Sequence, residues 1–189
     1  MTIDVGTGDG RAVLATAAAE PTTLVIGMDA VASSMAEASR RAARAASKGG
    51  LPNALFVVAS AEAPPRELHA IAARVTVLFP WGSLLRGCLG RDPAVAAGLA
   101  ALIAEGGVLD LLLAPAERDG LAGLPTEPDA IAAAAAGAFA PHGLTVVDAR
   151  LASDDEVRAS RSTWARRLLA PGSADRAAML LRLRSWAAT

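Results

Sequence analysis

Asp4, Gly6, Gly8 and Gly10 alternate through the run Ile3-Asp4-Val5-Gly6-Thr7-Gly8-Asp9-Gly10. An apolar stub that stops in alternating glycines reads as a short buried strand, a tight turn, and a helix opening at Asp9 or just after. Glycine lets the backbone take positive φ and approach a ligand with no Cβ in the way. The helix start offers unpaired N–H groups to whatever lies in the turn. That combination suits a nucleotide-like cofactor. Asp29, about 20 residues on, ends the next apolar stretch, where a carboxylate can accept hydrogen bonds from a ribose diol. Glu62 follows a third apolar stretch and is suited to bond the amino group of an adenine. Trp81 follows a fourth, in the loop Pro80-Trp81-Gly82-Ser83. It is one of three tryptophans in a chain without tyrosine, and it reads as facing the same crevice.

Spacing separates one cofactor from another. A dinucleotide turn, G-x-G-x-x-G, needs its third glycine where this chain has Arg11. Glycines at 6, 8 and 10 led by Asp4 have instead the D-x-G-x-G-x-G spacing usual in the first motif of S-adenosylmethionine (SAM)-dependent methyltransferases. Other chemistry finds little support. His69 and His142 are far apart with no cysteine near either, so no metal site is suggested. Cys88, in the helix-like residues 84–89, reads as core packing rather than a nucleophile.

These residues need an alternating frame of strands and helices to bring them together. Strands are expected at 3–5, 23–28, 54–59, 74–79, 107–113 and 144–151, with a seventh at 177–186. Helices are expected at 11–19, from a Ser33 or Ser34 cap to about residue 46, at 93–104 and at 129–139. Residues 114–127, acidic and rich in proline and glycine, read as a loop insertion over the crevice, as does the arginine-rich segment 152–176. In an open α/β sheet the strand ends line the ligand crevice, which is where the glycine turn, Asp29, Glu62 and Trp81 all fall.

A chain of 189 residues suits one domain, here 1–189. No apolar run is long enough to span a membrane, and no basic segment followed by an apolar one suggests a signal peptide. A lone cysteine fits a reducing cytoplasm. The net charge of −1 argues against a general polyanion binder, yet the charge is uneven. Arg40, Arg41, Arg44 and Lys48 cluster on one helix and its exit, and a second arginine group runs from Arg158 to Arg184. Such asymmetry can mark a nucleic-acid face.

Three segments make the pattern specific: Ser47-Lys48-Gly49-Gly50-Leu51-Pro52-Asn53, Phe79-Pro80-Trp81-Gly82-Ser83-Leu84-Leu85-Arg86-Gly87 and Ser162-Thr163-Trp164-Ala165-Arg166-Arg167-Leu168. Together they resemble the kanamycin–apramycin resistance methyltransferases, which modify N1 of adenine 1408 in the decoding site of 16S rRNA. The resemblance runs from Thr2 to about Arg182. Family members carry an extension ahead of the first strand, whereas Met1 here stands two residues before Ile3.

The resemblance implies an α/β class I SAM-dependent methyltransferase, Rossmann-like, with a mostly parallel seven-stranded sheet flanked by helices. It implies that Asp4, Gly6 and Gly8 cradle the methionine part of SAM, that Asp29 holds its ribose, and that Ala61 and Glu62 hold its adenine. Leu78 and Ser83 would line the pocket beneath. Trp81 and Trp164 would sandwich the flipped target adenine, with Ser162 as a pocket serine. The implied partner is 16S rRNA in the 30S subunit, met by a cytoplasmic monomer through phosphate contacts from Arg40, Arg41, Arg44, Lys48, Arg166, Arg167 and Arg176. A thinner basic helix than the family's leaves a second reading open, in which a SAM-binding relative acts on another RNA or a small molecule, or is inactive on the ribosome. The chemistry suits the residues: a base alkylated at N1 must leave its stack and be held. N1 is already a lone-pair nucleophile, so positioning can replace a general base.

Overall fold

The computed structural model describes residues 1–115, 123–169 and 177–186, with the backbone alone for 166–168. Seven strands form one sheet: β1 Thr2–Val5, β2 Val25–Asp29, β3 Ala54–Val58, β4 Ala72–Leu78, β5 Ile103–Leu113, β6 Leu144–Leu151 and β7 Met179–Ser185. Their order is β3-β2-β1-β4-β5-β7-β6. The first five are parallel neighbours, and β7 runs antiparallel between β5 and β6. Sequence order reverses between β1 and β4, and this switch point opens a crevice at the C-terminal ends of the strands. The strands on either side of it carry the glycine turn and the Pro80-Trp81 loop.

All four residues of β1 are buried, as suits a central parallel strand covered on both faces. One face is closed by α1 (Arg11–Ala19) and α2 (Ala32–Ala42), whose Val13, Leu14, Ala17, Ala38 and Ala42 pack with Val25 and Ala54. The other is closed by α3 (Gly82–Cys88), α4 (Pro93–Leu102) and α5 (Pro128–Phe139), around a core that includes Leu85, Val95, Leu99, Ile131 and Phe139. Two short helices, α6 (Asp154–Ala159) and α7 (Thr163–Leu168), stand between β6 and β7. Segment 152–176, expected as a loop, is therefore helical through much of its described part. A Ser153–Glu156 capping box starts α6. Bidentate pairing with Arg150 on β6 ties it down and, with the Ser153 cap, holds Glu156 at a pKa of about 2.

Other boundaries differ from the sequence reading for local reasons. Neither Ser33 nor Ser34 caps α2. The N-cap is Val31, which has no side-chain cap bond; Asp29 Oδ1 accepts from Val31 N at 2.8 Å at the helix entrance. The helix stops at Ala42, with a 3-10 turn at Ala46–Lys48, and Gly50 has no room for a Cβ, which would sit 1.7 Å from Arg44 O. Chain 103–106 joins β5 rather than extending α4.

Asn53 closes the frame at the N-terminal ends of β2 and β3, on the far side of the sheet from the crevice. Its Nδ2 donates to the carbonyls of Ala17 at 2.9 Å, Glu20 at 3.1 Å and Thr23 at 3.0 Å, clamping the end of α1 to the chain leading into β2. Replacing it by alanine leaves carbonyls without this donor, so Asn53→Ala is expected to cost about 1–3 kcal/mol in a denaturant melt. A loss below about 0.5 kcal/mol would show that the clamp is idle.

Candidate active site

The crevice at the C-terminal ends of β1–β4 is a cleft of about 600 Å³. All the residues expected at the cofactor and at the target base line it: Asp4, Gly6, Gly8, Asp29, Ala61 and Glu62, then Leu78 and Ser83, then Trp81, Ser162 and Trp164. The three glycines all take positive φ, but for different ends. A Cβ on Gly6 would lie 2.5 Å from Leu84 Cδ2, and one on Gly10 would lie 2.6 Å from Phe56 Cε1 and 2.7 Å from Ala38 Cβ. Those two let the turn pack against its supports. A Cβ on Gly8 would meet no atom within 4 Å. Its missing side chain leaves room in the cleft itself.

Asp29 does two jobs. Its Oδ2 accepts from Gly8 N at 2.9 Å while its Oδ1 accepts from Val31 N, so it ties the glycine turn to the end of β2. Each carboxylate oxygen has a second acceptor site, and the side chain lines the cleft, so a ribose diol can still be met. The Thr7 hydroxyl is buried near Asp4, whose carboxylate it favours, but makes no well-aligned hydrogen bond among the described residues. An open cradle at Gly8, a buried hydroxyl at Thr7 and the carboxylates of Asp29 and Glu62 on the cleft wall fit a nucleoside cofactor such as SAM.

Asp4 sits deeper and is 5% exposed. Thr76 Oγ1 donates to its Oδ1 at 2.7 Å. Burial is the larger influence and lifts its pKa to about 6; the Thr76 bond opposes the shift and the neighbouring Asp29 charge adds to it. A carboxylate in this condition is poised to gain from a cation, and the ammonium of an amino acid supplies one.

The roof of the cleft comes from two distant segments. After β4 the chain turns through Phe79 at φ +52, a left-handed conformation that costs a bulky residue energy and tends to mark functional sites. Phe79 N donates to Leu112 O at 2.7 Å and the ring is buried. Trp81 is thereby thrown outward, 77% exposed, as the N-cap residue of α3. From the other side α7 delivers Trp164, 38% exposed. Ser162 is the N-cap of α7, its hydroxyl accepting from Trp164 N at 3.2 Å. It therefore orders the helix that carries the tryptophan as well as lining the cleft. Phe79 also packs in a small cluster with Ala165 of α7, so it supports both tryptophans.

Asp9, Thr163, Thr7 and Phe79 all line the cleft without having been singled out in the sequence. Phe79 and Thr163 stood inside quoted segments, and Thr7 and Asp9 between the glycines. No spacing rule joins positions so far apart in the chain.

The basic residues divide. Arg40, Arg41, Arg44 and Lys48 are exposed at the C-terminal end of α2 and the turn after it, and Arg40 pairs with Glu37 at 2.9 Å. The side chains of Arg166 and Arg167 lie outside the described residues, as does Arg176 entirely. Within the second arginine group, Arg158 pairs with Asp154 and Asp155. Arg182 bonds buried Asp110 at 2.6 Å, and Arg74 does so at 2.8 Å. These pairs knit strands and helix ends together and reduce the charge available to a polyanion.

Cys88 is fully buried, and burial pushes its thiol up to about 12. Thiol alkylation of the native protein at pH 8 is expected to run roughly a thousandfold or more slower than in denaturant. Comparable rates would contradict its place in the core.

Comparison with known proteins accounts for this arrangement. A family model described as NpmA: 16S rRNA (adenine(1408)-N(1))-methyltransferase matches residues 1–183. A 16S rRNA (adenine(1408)-N(1))-methyltransferase of Streptoalloteichus hindustanus is 37% identical over 179 residues, covering 89% of this chain and 80% of the relative. Among solved structures, the Catenulisporales acidiphilia 16S rRNA (adenine(1408)-N(1))-methyltransferase, crystallised as a mutant with cosubstrate SAM, superposes with a TM-score of 0.86 at 34% identity, over 98% of this chain and 85% of that one. The 16S rRNA methyltransferase KamB gives a TM-score of 0.86 at 35% identity, over 98% and 87%. The architecture is thus that of SAM-dependent methyltransferases, and the chain belongs to the family of 16S rRNA (adenine(1408)-N(1))-methyltransferases.

Proposed function

We propose that the protein transfers a methyl group from SAM to N1 of adenine 1408 in 16S rRNA and so confers aminoglycoside resistance. What supports this most directly is the meeting in one cleft of a nucleoside-holding set from β1–β4 with two tryptophans from distant parts of the chain. When bound, SAM supplies an electrophilic methyl on a sulfonium. The protein's share is to hold both partners. Asp4 answers the amino-acid end, Asp29 the ribose, and Glu62 with Ala61 the adenine, over a floor that includes Leu78 and Ser83. Gly6 and Gly8 let the backbone come close.

The target base must be drawn from its stack to be reached. Trp81 and Trp164 hold its two faces, and Ser162 fixes the start of the helix carrying Trp164. N1 attacks with its own lone pair, so no side chain has to take a proton first. The base becomes cationic as the bond forms, and indole faces stabilise a cation held against them. The protein works as a single-domain monomer in the cytoplasm on the assembled 30S subunit. Arg40, Arg41, Arg44 and Lys48, with Arg166, Arg167 and Arg176, meet phosphates around the decoding site.

The test is to incubate 30S subunits with the protein and SAM and read the 16S rRNA by reverse transcription. A stop at adenine 1408 that depends on both is the expected result. Calorimetric SAM binding without any such stop on intact subunits would overturn the assignment.

A further inference from the structure

One contact joins the two halves of the cleft directly. Thr163 Oγ1 donates to Asp9 Oδ2 at 2.6 Å. Asp9 lies in the cofactor turn between Gly8 and Gly10, and Thr163 is the residue before Trp164. The carboxylate is braced from its own side as well: Oδ1 accepts from Arg11 N at 3.2 Å, and Arg11 Nε lies 3.4 Å from Oδ2. A charged acceptor held in this way makes a stronger hydrogen bond than a neutral one.

Helix α7 has reason to need such a contact. It is six residues long, well below the length at which a helix is stable alone. Among its described side chains, Ala165 is buried, in the cluster with Phe79, Leu112, Val157 and Ala178. The Ala165 methyl, with Leu169 packed beside it, rests on that cluster and sets the distance of α7 from the sheet. The Ser162 cap fixes the start of the helix relative to itself, not to the protein. The Thr163 hydroxyl supplies a directional bond to the glycine turn.

We propose that Asp9 and Thr163 are positioning residues, a latch through which the turn that holds the methyl donor sets the placement of Trp164 against the methyl acceptor. The inference rests on the methyltransferase reading above. It gives the two residues a purpose beyond local structure: donor and acceptor are aligned by one hydrogen bond between their holders. Misplacement by about 1 Å is enough to cost on the order of a hundredfold in rate.

The test compares Thr163→Val, which keeps shape and removes the hydroxyl, with Thr163→Ser, which keeps the hydroxyl. Methylation of 30S subunits is followed by reverse transcription at adenine 1408, and SAM affinity by calorimetry. Thr163→Val is expected to lower kcat by about tenfold or more, with the SAM dissociation constant within about threefold of the parent. Thr163→Ser is expected to recover most of the loss. Asp9→Ala should lower kcat similarly and add little on top of Thr163→Val, as for two ends of one interaction. If Thr163→Val fails to fold, Thr163→Ala with the Asp9→Ala cycle reads the same coupling.

Unchanged turnover in Thr163→Val, or fully additive losses in the cycle, would overturn the latch while the wild-type stop at adenine 1408 still stood. Loss of that wild-type stop would instead remove the reading on which the latch depends.

Discussion

Replacing Trp81 or Trp164 by alanine is expected to lower methylation of 30S subunits about a hundredfold, while SAM affinity stays within about threefold. Stacking of one base on one aromatic face is worth about 1–3 kcal/mol by alanine substitution. The base must also be held out of its stack long enough to react. Exposure makes the experiment clean. Trp81 is 77% exposed and Trp164 38%, so truncation removes little core, and the Tm of Trp81→Ala should stay near the parent's. Phenylalanine keeps a face of smaller area and should restore part of the rate at either position. The assay is reverse transcription at adenine 1408 alongside SAM titration. Alanine variants that methylate at the parental rate would sink the two-sided clamp.

Asp4 governs the second large effect. Its carboxyl titrates near pH 6 in the folded protein because it is buried, against about 3.9 in an unfolded chain. The folded state therefore binds the extra proton between those values. Stability of the ligand-free protein should fall as pH rises from about 4 to about 6 and then level off, the Asp4 contribution being about 3 kcal/mol at most. Ligand binding runs in the opposite sense. With Asp4 in the proposed role of meeting the SAM ammonium, affinity should rise with pH through about 6, and binding near that pH should release a proton.

Asp4→Asn is expected to keep the Thr76 bond, stabilise the ligand-free protein above pH 7, and weaken SAM binding about ten- to a hundredfold with no pH dependence from this group. Calorimetry in buffers of different ionisation enthalpy between pH 5 and 7.5 reads the proton count. A SAM affinity that is flat over that range in the parent protein, or undiminished in Asp4→Asn, would refute the assignment.

What the sequence disclosed of the site was whatever local chemistry encodes. Glycines at alternate positions, acids at strand ends and a tryptophan after a proline each carry a conformational or hydrogen-bonding reason that is visible within a few residues. Trp164 and Ser162 became legible only through the resemblance, because the short helix that carries them has no strong pattern of its own.

Partnerships set by three-dimensional neighbours stayed hidden. Asp29 was read as a ribose acceptor, and nothing nearby in sequence announced that it also accepts from Gly8 N and from Val31 N at the entrance to α2. Asn53 stood in a quoted loop segment, but its three acceptors lie 30–36 residues earlier. Likewise the arginine-rich tail read as surface charge until Arg182 proved to pair with Asp110 across neighbouring strands. The strand count was readable; the placing of β7 between β5 and β6 was not, since it depends on which edge a late strand finds.

Because β7 slots between β5 and β6, the sheet cannot be completed until residue 185 has been synthesised. The pocket for the methyl donor draws on β1–β4 and their loops, all within the first 84 residues. The helix bearing Trp164 rests on Phe79 and Ala178, the latter directly ahead of β7. Contacts that span so much of the chain form late. The cleft wall from β1–β4 is thus encoded well ahead of the helix that bears Trp164, although its core is closed by later elements such as α4, α5 and β5.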